Sequence, residues 1–77
     1  MKILINSEHI RLDQLLKLSG IVDSGGVAKH LIREGFVLLN GETCLERGKK
    51  IYPGFVVDIN IPEENIKERI EVISEEI

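Results

Sequence analysis

The first hydrophobic residues of the chain follow the spacing of a strand. Ile3 and Ile5 alternate with Lys2 and Leu4, so one face of this segment is more apolar than the other. A period of two residues is typical of a half-buried strand. The pattern therefore predicts a short strand over residues 2–5, which the polar residues 6–8 end.

Helical spacing follows after residue 10. The first predicted helix runs from residue 12 to about residue 19, and Gly20 ends it. Its inner stripe consists of Leu12, Leu15 and Leu16, which Ser19 could extend and Leu18 flanks. Ile21 and Val22 lie in the link to the next helix, where we expect both to be buried.

A second predicted helix has both of its ends marked. Ser24, or Asp23 beside it, can cap the start by accepting a backbone N–H, and Gly35 suits the left-handed residue at which many helices stop. The expected core face consists of Val27, Ala28, Leu31 and Ile32. The opposite face carries Lys29, His30 and Arg33.

The first turn of this second helix contains Gly25 and Gly26 and no acidic residue. Free amides and the positive end of the helix dipole therefore lie ahead of a basic stripe, an arrangement that suits a phosphate group. The alternative is a surface helix whose charged side chains are simply solvated.

Turn signals divide the second half of the chain into strands. An apolar strand over residues 36–39 is followed by Asn40-Gly41, a strong signal for a two-residue hairpin because both residues tolerate positive φ. Residues 42–44 form the returning strand. Pro53-Gly54 predicts a type II turn, after which residues 55–61 are rich in β-branched side chains and predict another strand.

Residues 62–77 fit two different structures. Pro62 followed by two glutamates is typical of a helix start. The isoleucines of this segment follow a helical spacing, and they are Ile66, Ile70, Ile73 and Ile77. Residues 69–73 could instead form a strand that pairs with residues 2–5. The pattern alone slightly favours the helix.

The length of 77 residues predicts one domain over residues 1–77. Charge is distributed unevenly along this chain. The net charge is −3, yet residues 1–61 hold eight basic and seven acidic residues, whereas residues 62–77 hold two basic and six acidic ones. The acidity therefore belongs to a C-terminal extension, residues 62–77. Because local charge decides what a surface attracts, a negative total does not exclude binding to nucleic acid.

Several kinds of protein are not favoured by the composition. No apolar run approaches the length of a membrane span. The apolar run at residues 1–6 is too short for a signal peptide. The single cysteine, Cys44, predicts a reduced thiol and a cytoplasmic protein. With His9 and His30 it has no metal-ligand spacing, and no catalytic set of residues is evident, so we expect no metal, no cofactor and no enzymatic activity. Aromatic surfaces for base stacking are scarce, and only Phe36, Tyr52 and Phe55 could serve.

Three motifs occur in order along the chain. They are Arg11-Leu12-Asp13-Gln14-Leu15-Leu16, Asp23-Ser24-Gly25-Gly26-Val27-Ala28-Lys29 and Ile32-Arg33-Glu34-Gly35-Phe36-Val37-Leu38-Leu39-Asn40-Gly41-Glu42. Together they resemble the RNA-binding domain named after small-subunit ribosomal protein S-four, also called the alpha-L motif. The Ser-Gly-Gly-x-Ala-Lys version, with a later Arg-Gly-Lys-Lys, is similar to the small stand-alone YaaA-like and YbcJ-like members. The resemblance covers residues 10–59, the expected RNA-binding core.

The resemblance implies an α+β fold, in which two antiparallel helices pack on a small, mostly antiparallel sheet. It also implies that the helix pair and the adjoining hairpin bind structured RNA. Carried over by position, the RNA-binding residues are Arg11, Ser24, Gly25, Gly26, Lys29, Arg33, Arg47, Lys49 and Lys50. Lys17 and His30 are further candidates beside them. Many members have an arginine where this chain has Gly25, which places more weight on backbone amides here.

Other roles are open for two of these groups. Arg11 could pair with Asp13 or Glu8, and Lys49 and Lys50 could protect a sheet edge against aggregation.

The leading prediction is a non-catalytic, monomeric protein that binds structured RNA, specifically ribosomal RNA in ribosome assembly or maintenance. The alternative is a protein-interaction adaptor that docks a basic partner on the acidic extension.

Overall fold

The computed structural model describes residues 1–75. In this part of the chain the elements are β1 (Lys2–Ile5), β2 (Ile10–Arg11), α1 (Leu12–Leu18), α2 (Gly25–Arg33), β3 (Val37–Leu39), β4 (Glu42–Thr43), β5 (Lys50–Ile51), β6 (Val56–Ile61), a short 3₁₀ helix (Pro62–Glu64) and β7 (Ile66–Ser74). Each predicted strand and helix up to residue 61 is confirmed, with ends that differ by one or two residues. The two-residue strands β2 and β5 were not expected from the sequence.

The strands form one sheet of five and one separate pair. The order in the larger sheet is β1-β7-β6-β3-β4, in which only β1 and β7 run parallel. β2 and β5 pair antiparallel, with Ile10 opposite Ile51 and Arg11 opposite Lys50. The α+β fold with two helices and a mostly antiparallel sheet is therefore confirmed.

One hydrophobic core joins the two helices to the sheet. Its fully buried members include Leu12, Leu15 and Leu16 of α1, Ile32 of α2, and Val37, Val57, Ile59 and Ile70 of the sheet. Val22 in the link is buried as expected, whereas Ile21 is only partly buried. The expected core position of Val27 is wrong: this residue lies in the first turn of α2 and is 46% exposed.

The predicted turns have the backbone geometry that their residues favour. Asn40 and Gly41 have φ of 50° and 87°, and the Asn40 side-chain oxygen accepts a hydrogen bond from the amide of Val56 at 2.9 Å. Gly54 has φ of 96°, and the amide of Phe55 donates to the carbonyl of Tyr52 at 3.1 Å, which closes the turn over Pro53. These turns fix how β3 returns as β4 and how β6 begins.

The prediction of a helix in residues 62–77, which the isoleucine spacing favoured, is wrong, and the strand alternative is correct. Only one 3₁₀ turn follows Pro62, after which β7 pairs with β6 on one side and with β1 on the other. Because side chains alternate between the two faces of a strand, both Ile70 and Val72 lie in the core. Val72 was not part of the helical pattern of isoleucines. Ile77, the last member of that pattern, lies outside the described residues.

Candidate nucleic-acid interface

The start of α2 is capped by a side chain and carries no acidic group. Ser24 has an extended backbone, and its hydroxyl oxygen accepts a hydrogen bond from the amide of Val27 at 3.3 Å, so Ser24 and not Asp23 is the cap. Gly25 and Gly26 form the exposed first turn. A Cβ atom on Gly26 would meet only the Ser24 hydroxyl, at 3.8 Å, so the space in front of this turn is open.

The basic side chains of α2 share one open depression with this first turn. The depression is lined by Gly26, Lys29, His30, Arg33 and Glu34. These residues therefore lie on one side of α2, as the helical spacing predicted for Lys29, His30 and Arg33. We call Gly26, Lys29, His30 and Arg33 the helix cluster. Glu34, at the C-cap, is the acidic residue at its edge.

The basic loop after the hairpin is bonded to the start of α1. The amides of Leu12 and Asp13 donate to the carbonyls of Lys49 and Arg47 at 2.9 and 3.0 Å. These carbonyls satisfy two of the amides that a helix start leaves without an intrahelical partner. The first turn of α1 is therefore closed by the chain itself, whereas the first turn of α2 faces solvent.

Arg11 lies next to this loop. It pairs with Lys50 across β2 and β5, and its guanidinium lies 3.8 Å from where a Cβ would stand on Gly48. The guanidinium also donates to the Asp13 carboxylate at 3.0 Å, so the pairing that was one alternative for Arg11 is present. Its side chain is still 48% exposed. We call Arg11, Arg47, Lys49 and Lys50 the loop cluster.

Lys17 is not placed with the loop cluster. It lies in the last turn of α1, at the opposite end of that helix from Arg11. A cation in the last turn complements the helix dipole, which is sufficient reason for its position.

Beside the loop cluster lie two of the three aromatic residues that could serve for base stacking, Tyr52 and Phe55. Tyr52 lies 5.6 Å from the ring of His9 and 5.7 Å from the ring of Phe55, measured between ring centres. Tyr52 and Phe55 line a groove together with Glu46, Gly48, Lys49 and Lys50. Tyr52 directly follows β5, whose pairing with β2 was not expected from the sequence, so its place beside the loop cluster was not predicted.

Four acidic residues of the C-terminal extension lie on structured elements. Glu63 and Glu64 belong to the 3₁₀ helix, and Glu68 and Glu71 lie on β7. On the same strand, Arg69 donates to the Asp58 carboxylate at 2.9 Å, and this bond raises the pKa of Arg69 above its ordinary value. Arg69 is therefore already paired within the sheet.

Residues 1–75 contain neither a membrane-spanning helix nor a cluster of metal ligands. None of the helices there is long and apolar enough to cross a membrane. No three His, Cys, Asp or Glu side chains in this part of the chain come together in a way that could hold a metal ion.

Comparison with known proteins adds three findings. A family model described as "S4 domain" matches residues 3–67. The chain is 47% identical over 55 residues to the "Probable ribosome maturation protein RlbA" of Bacillus subtilis (strain 168), across 71% of this chain and 78% of that protein. The trimeric structure of Vibrio cholerae Heat Shock Protein 15 has the same fold, with a TM-score of 0.71 and 22% identity over 90% of this chain and 69% of that one.

Proposed function

Because the chain belongs to the S4 domain family, we propose that it binds structured RNA through the helix cluster and the loop cluster. The observation that carries this proposal is the open first turn of α2, which shares a depression with Lys29, His30 and Arg33. Exposed backbone amides and cations in one place form a site for a phosphate group. Ser24, Gly25 and Gly26 would contribute the amide side of that site.

The loop cluster supports the same proposal in a different way. Its backbone is held by hydrogen bonds to α1, so its cations project from a fixed frame. Folded RNA is recognised largely by shape and by contacts to phosphate and ribose, which requires cations at fixed positions. Arg11, Arg47, Lys49 and Lys50 would supply such contacts.

We further propose that the RNA is ribosomal and that the protein acts in ribosome maturation. The similarity to RlbA, whose name describes a ribosome maturation protein, supports this choice. The role would be binding rather than catalysis, as a cytoplasmic monomer. The Vibrio cholerae relative is described as trimeric, so the monomer is checked directly by sedimentation of the purified chain.

The adaptor alternative is not favoured by the fold. It needs residues 62–77 as a docking tail, yet residues 66–74 form β7 between two other strands. Their backbone groups and their buried side chains are used within the sheet.

The test is binding of the full chain to deproteinised Bacillus subtilis ribosomal RNA, measured as a function of salt, with single-stranded poly(U) as the comparison. We expect tighter binding to ribosomal RNA than to poly(U), and an affinity that falls linearly with salt on logarithmic axes. Equal affinity for the two RNAs would refute recognition of structured RNA. No measurable binding at low salt would refute the proposed function as a whole.

A further inference from the structure

We propose that the groove beside the loop cluster holds one unpaired nucleotide of the bound RNA, with its base stacked on Tyr52. This groove is lined by Tyr52, Phe55, Lys49, Lys50, Gly48 and Glu46. The proposal rests on the proposed function, because it assigns one nucleotide within the RNA that the basic clusters bind. It goes beyond that function, since binding by charge and shape needs no aromatic surface.

The geometry of the rings leaves a stacking position on Tyr52. His9 and Phe55 are inclined to the Tyr52 ring by 51° and 64°, so neither is stacked parallel to it. Tyr52 and Phe55 are half-buried, which holds them in place while part of each side chain remains in the groove. An aromatic side chain fixed at its sides and open toward a groove can stack on any of the four bases.

Two cations, Lys49 and Lys50, line the groove together with this ring. The Arg11 guanidinium lies 3.8 Å from where a Cβ would stand on Gly48, another residue of the lining. Glu46 is the one carboxylate in the lining. A nucleotide matches this combination, because it joins a flat base to a phosphate that neighbouring cations can neutralise, and its amino groups can donate to a carboxylate.

Continuity with the proposed RNA surface argues for a nucleotide as the occupant. Lys49 and Lys50 belong both to the loop cluster and to the groove, so RNA bound at the cluster lies directly beside Tyr52. Paired bases inside a duplex are stacked on their neighbours and cannot reach a side-chain ring. The groove is therefore specific for a bulged or looped nucleotide.

The test uses two short RNA hairpins that differ only in one bulged adenosine. The full chain should bind the bulged hairpin about tenfold more tightly than the fully paired one, a difference typical of one base stacked on an aromatic side chain. Tyr52→Leu should bring the two affinities to within about twofold, whereas Tyr52→Phe should keep the preference. Lys49→Gln should weaken binding to both hairpins by the same factor, because a phosphate contact is present in each.

Failure of this proposal differs from failure of the proposed function. Equal binding of the wild-type chain to both hairpins, or a preference that survives Tyr52→Leu, would overturn the nucleotide site and leave RNA binding intact. No binding to either hairpin would overturn both. A second measurement does not depend on the stability of any variant: ultraviolet irradiation of the wild-type complex should crosslink the bulged adenosine to Tyr52, and a crosslink confined to other peptides would also overturn the site.

Discussion

The backbone amide of Leu12 donates a hydrogen bond to the carbonyl oxygen of Lys49 at 2.9 Å. Leu12 is the first residue of α1 and is fully buried, whereas Lys49 is exposed. This bond therefore ties the basic loop to the hydrophobic core through the backbone alone. The lysine side chain takes no part in it and stays available for binding.

Replacing Lys49 and Lys50 with glutamine should weaken RNA binding without changing stability. Both side chains are exposed, and the backbone bonds that hold the loop remain, so the free energy of unfolding should change by less than about 0.5 kcal/mol. The slope of log affinity against log salt should fall by roughly one to two if both lysines contact phosphate. Filter binding to ribosomal RNA measures this slope.

A matched control removes the same charge elsewhere. Lys2 and Lys67 are exposed on β1 and β7, outside both clusters. Lys2→Gln with Lys67→Gln should leave the slope nearly unchanged. An equal loss in this control would mean that net charge, not the loop cluster, determines binding.

Changes at Gly26 should separate RNA binding from stability. Gly26 lies in the first turn of α2 with open space around it, so Gly26→Ala should stabilise the protein by a few tenths to about 1 kcal/mol. Gly26→Glu should leave the melting temperature nearly unchanged, because an acidic group is favoured at a helix start. It should lower RNA affinity tenfold or more, about 1.4 kcal/mol, because an internal carboxylate occupies the phosphate position.

Gly26→Gln is the control for this substitution, since it adds the same bulk without the charge. We expect it to bind RNA more tightly than Gly26→Glu and less tightly than the parent chain. Parental affinity for Gly26→Glu would show that no phosphate lies at this helix start.

The elements that the sequence predicted correctly depend on local chemistry. The leucine stripe of α1, the serine cap of α2 and the Asn40-Gly41 turn each follow from neighbouring residues in the chain. β7 could not be derived in this way, because the spacing of its isoleucines slightly favours a helix over a strand. Its two partner strands decided between them, and the pairing with β1 joins residues about 70 positions apart.

The candidate site was predictable to a similar extent. Lys29, His30 and Arg33 were grouped correctly because helical periodicity places them on one face. The contact of Tyr52 with His9 could not be predicted, because the pairing of β2 with β5 brings these residues together from distant parts of the chain. The roles of the site residues in binding stay predictions.

Two isoleucines of β7 should differ sharply in their contribution to stability. Ile70 is fully buried and Ile73 is only partly buried. Ile70→Ala should therefore cost about 2–5 kcal/mol of unfolding free energy, and Ile73→Ala clearly less. Chemical denaturation monitored by circular dichroism measures both. Similar losses would instead fit the helix, in which the two residues share one face.

Replacing His9 with phenylalanine should stabilise the protein. The Nδ1 atom of His9 is buried and has no hydrogen-bond partner in the described residues, and a buried unsatisfied polar atom costs free energy. A phenyl ring keeps the contact with Tyr52 and removes the polar atom, so we expect a gain of about 0.5–1 kcal/mol. His30→Phe is the control, since His30 is exposed and should give no gain. A loss of stability in His9→Phe would mean that Nδ1 has a partner such as a bound water.

The parallel pairing of β1 with β7 also determines the order of events during synthesis of the chain. Among the strands of this sheet Lys2–Ile5 is made first, whereas its neighbour in the sheet, Ile66–Ser74, is made after the other strands. The helices and the β3–β4 hairpin need only nearby residues, whereas β1 has to wait until residues 66–74 have emerged. Contacts of such high sequence separation slow folding. During synthesis this sheet should therefore be completed in a late step, in which β7 enters between β6 and β1.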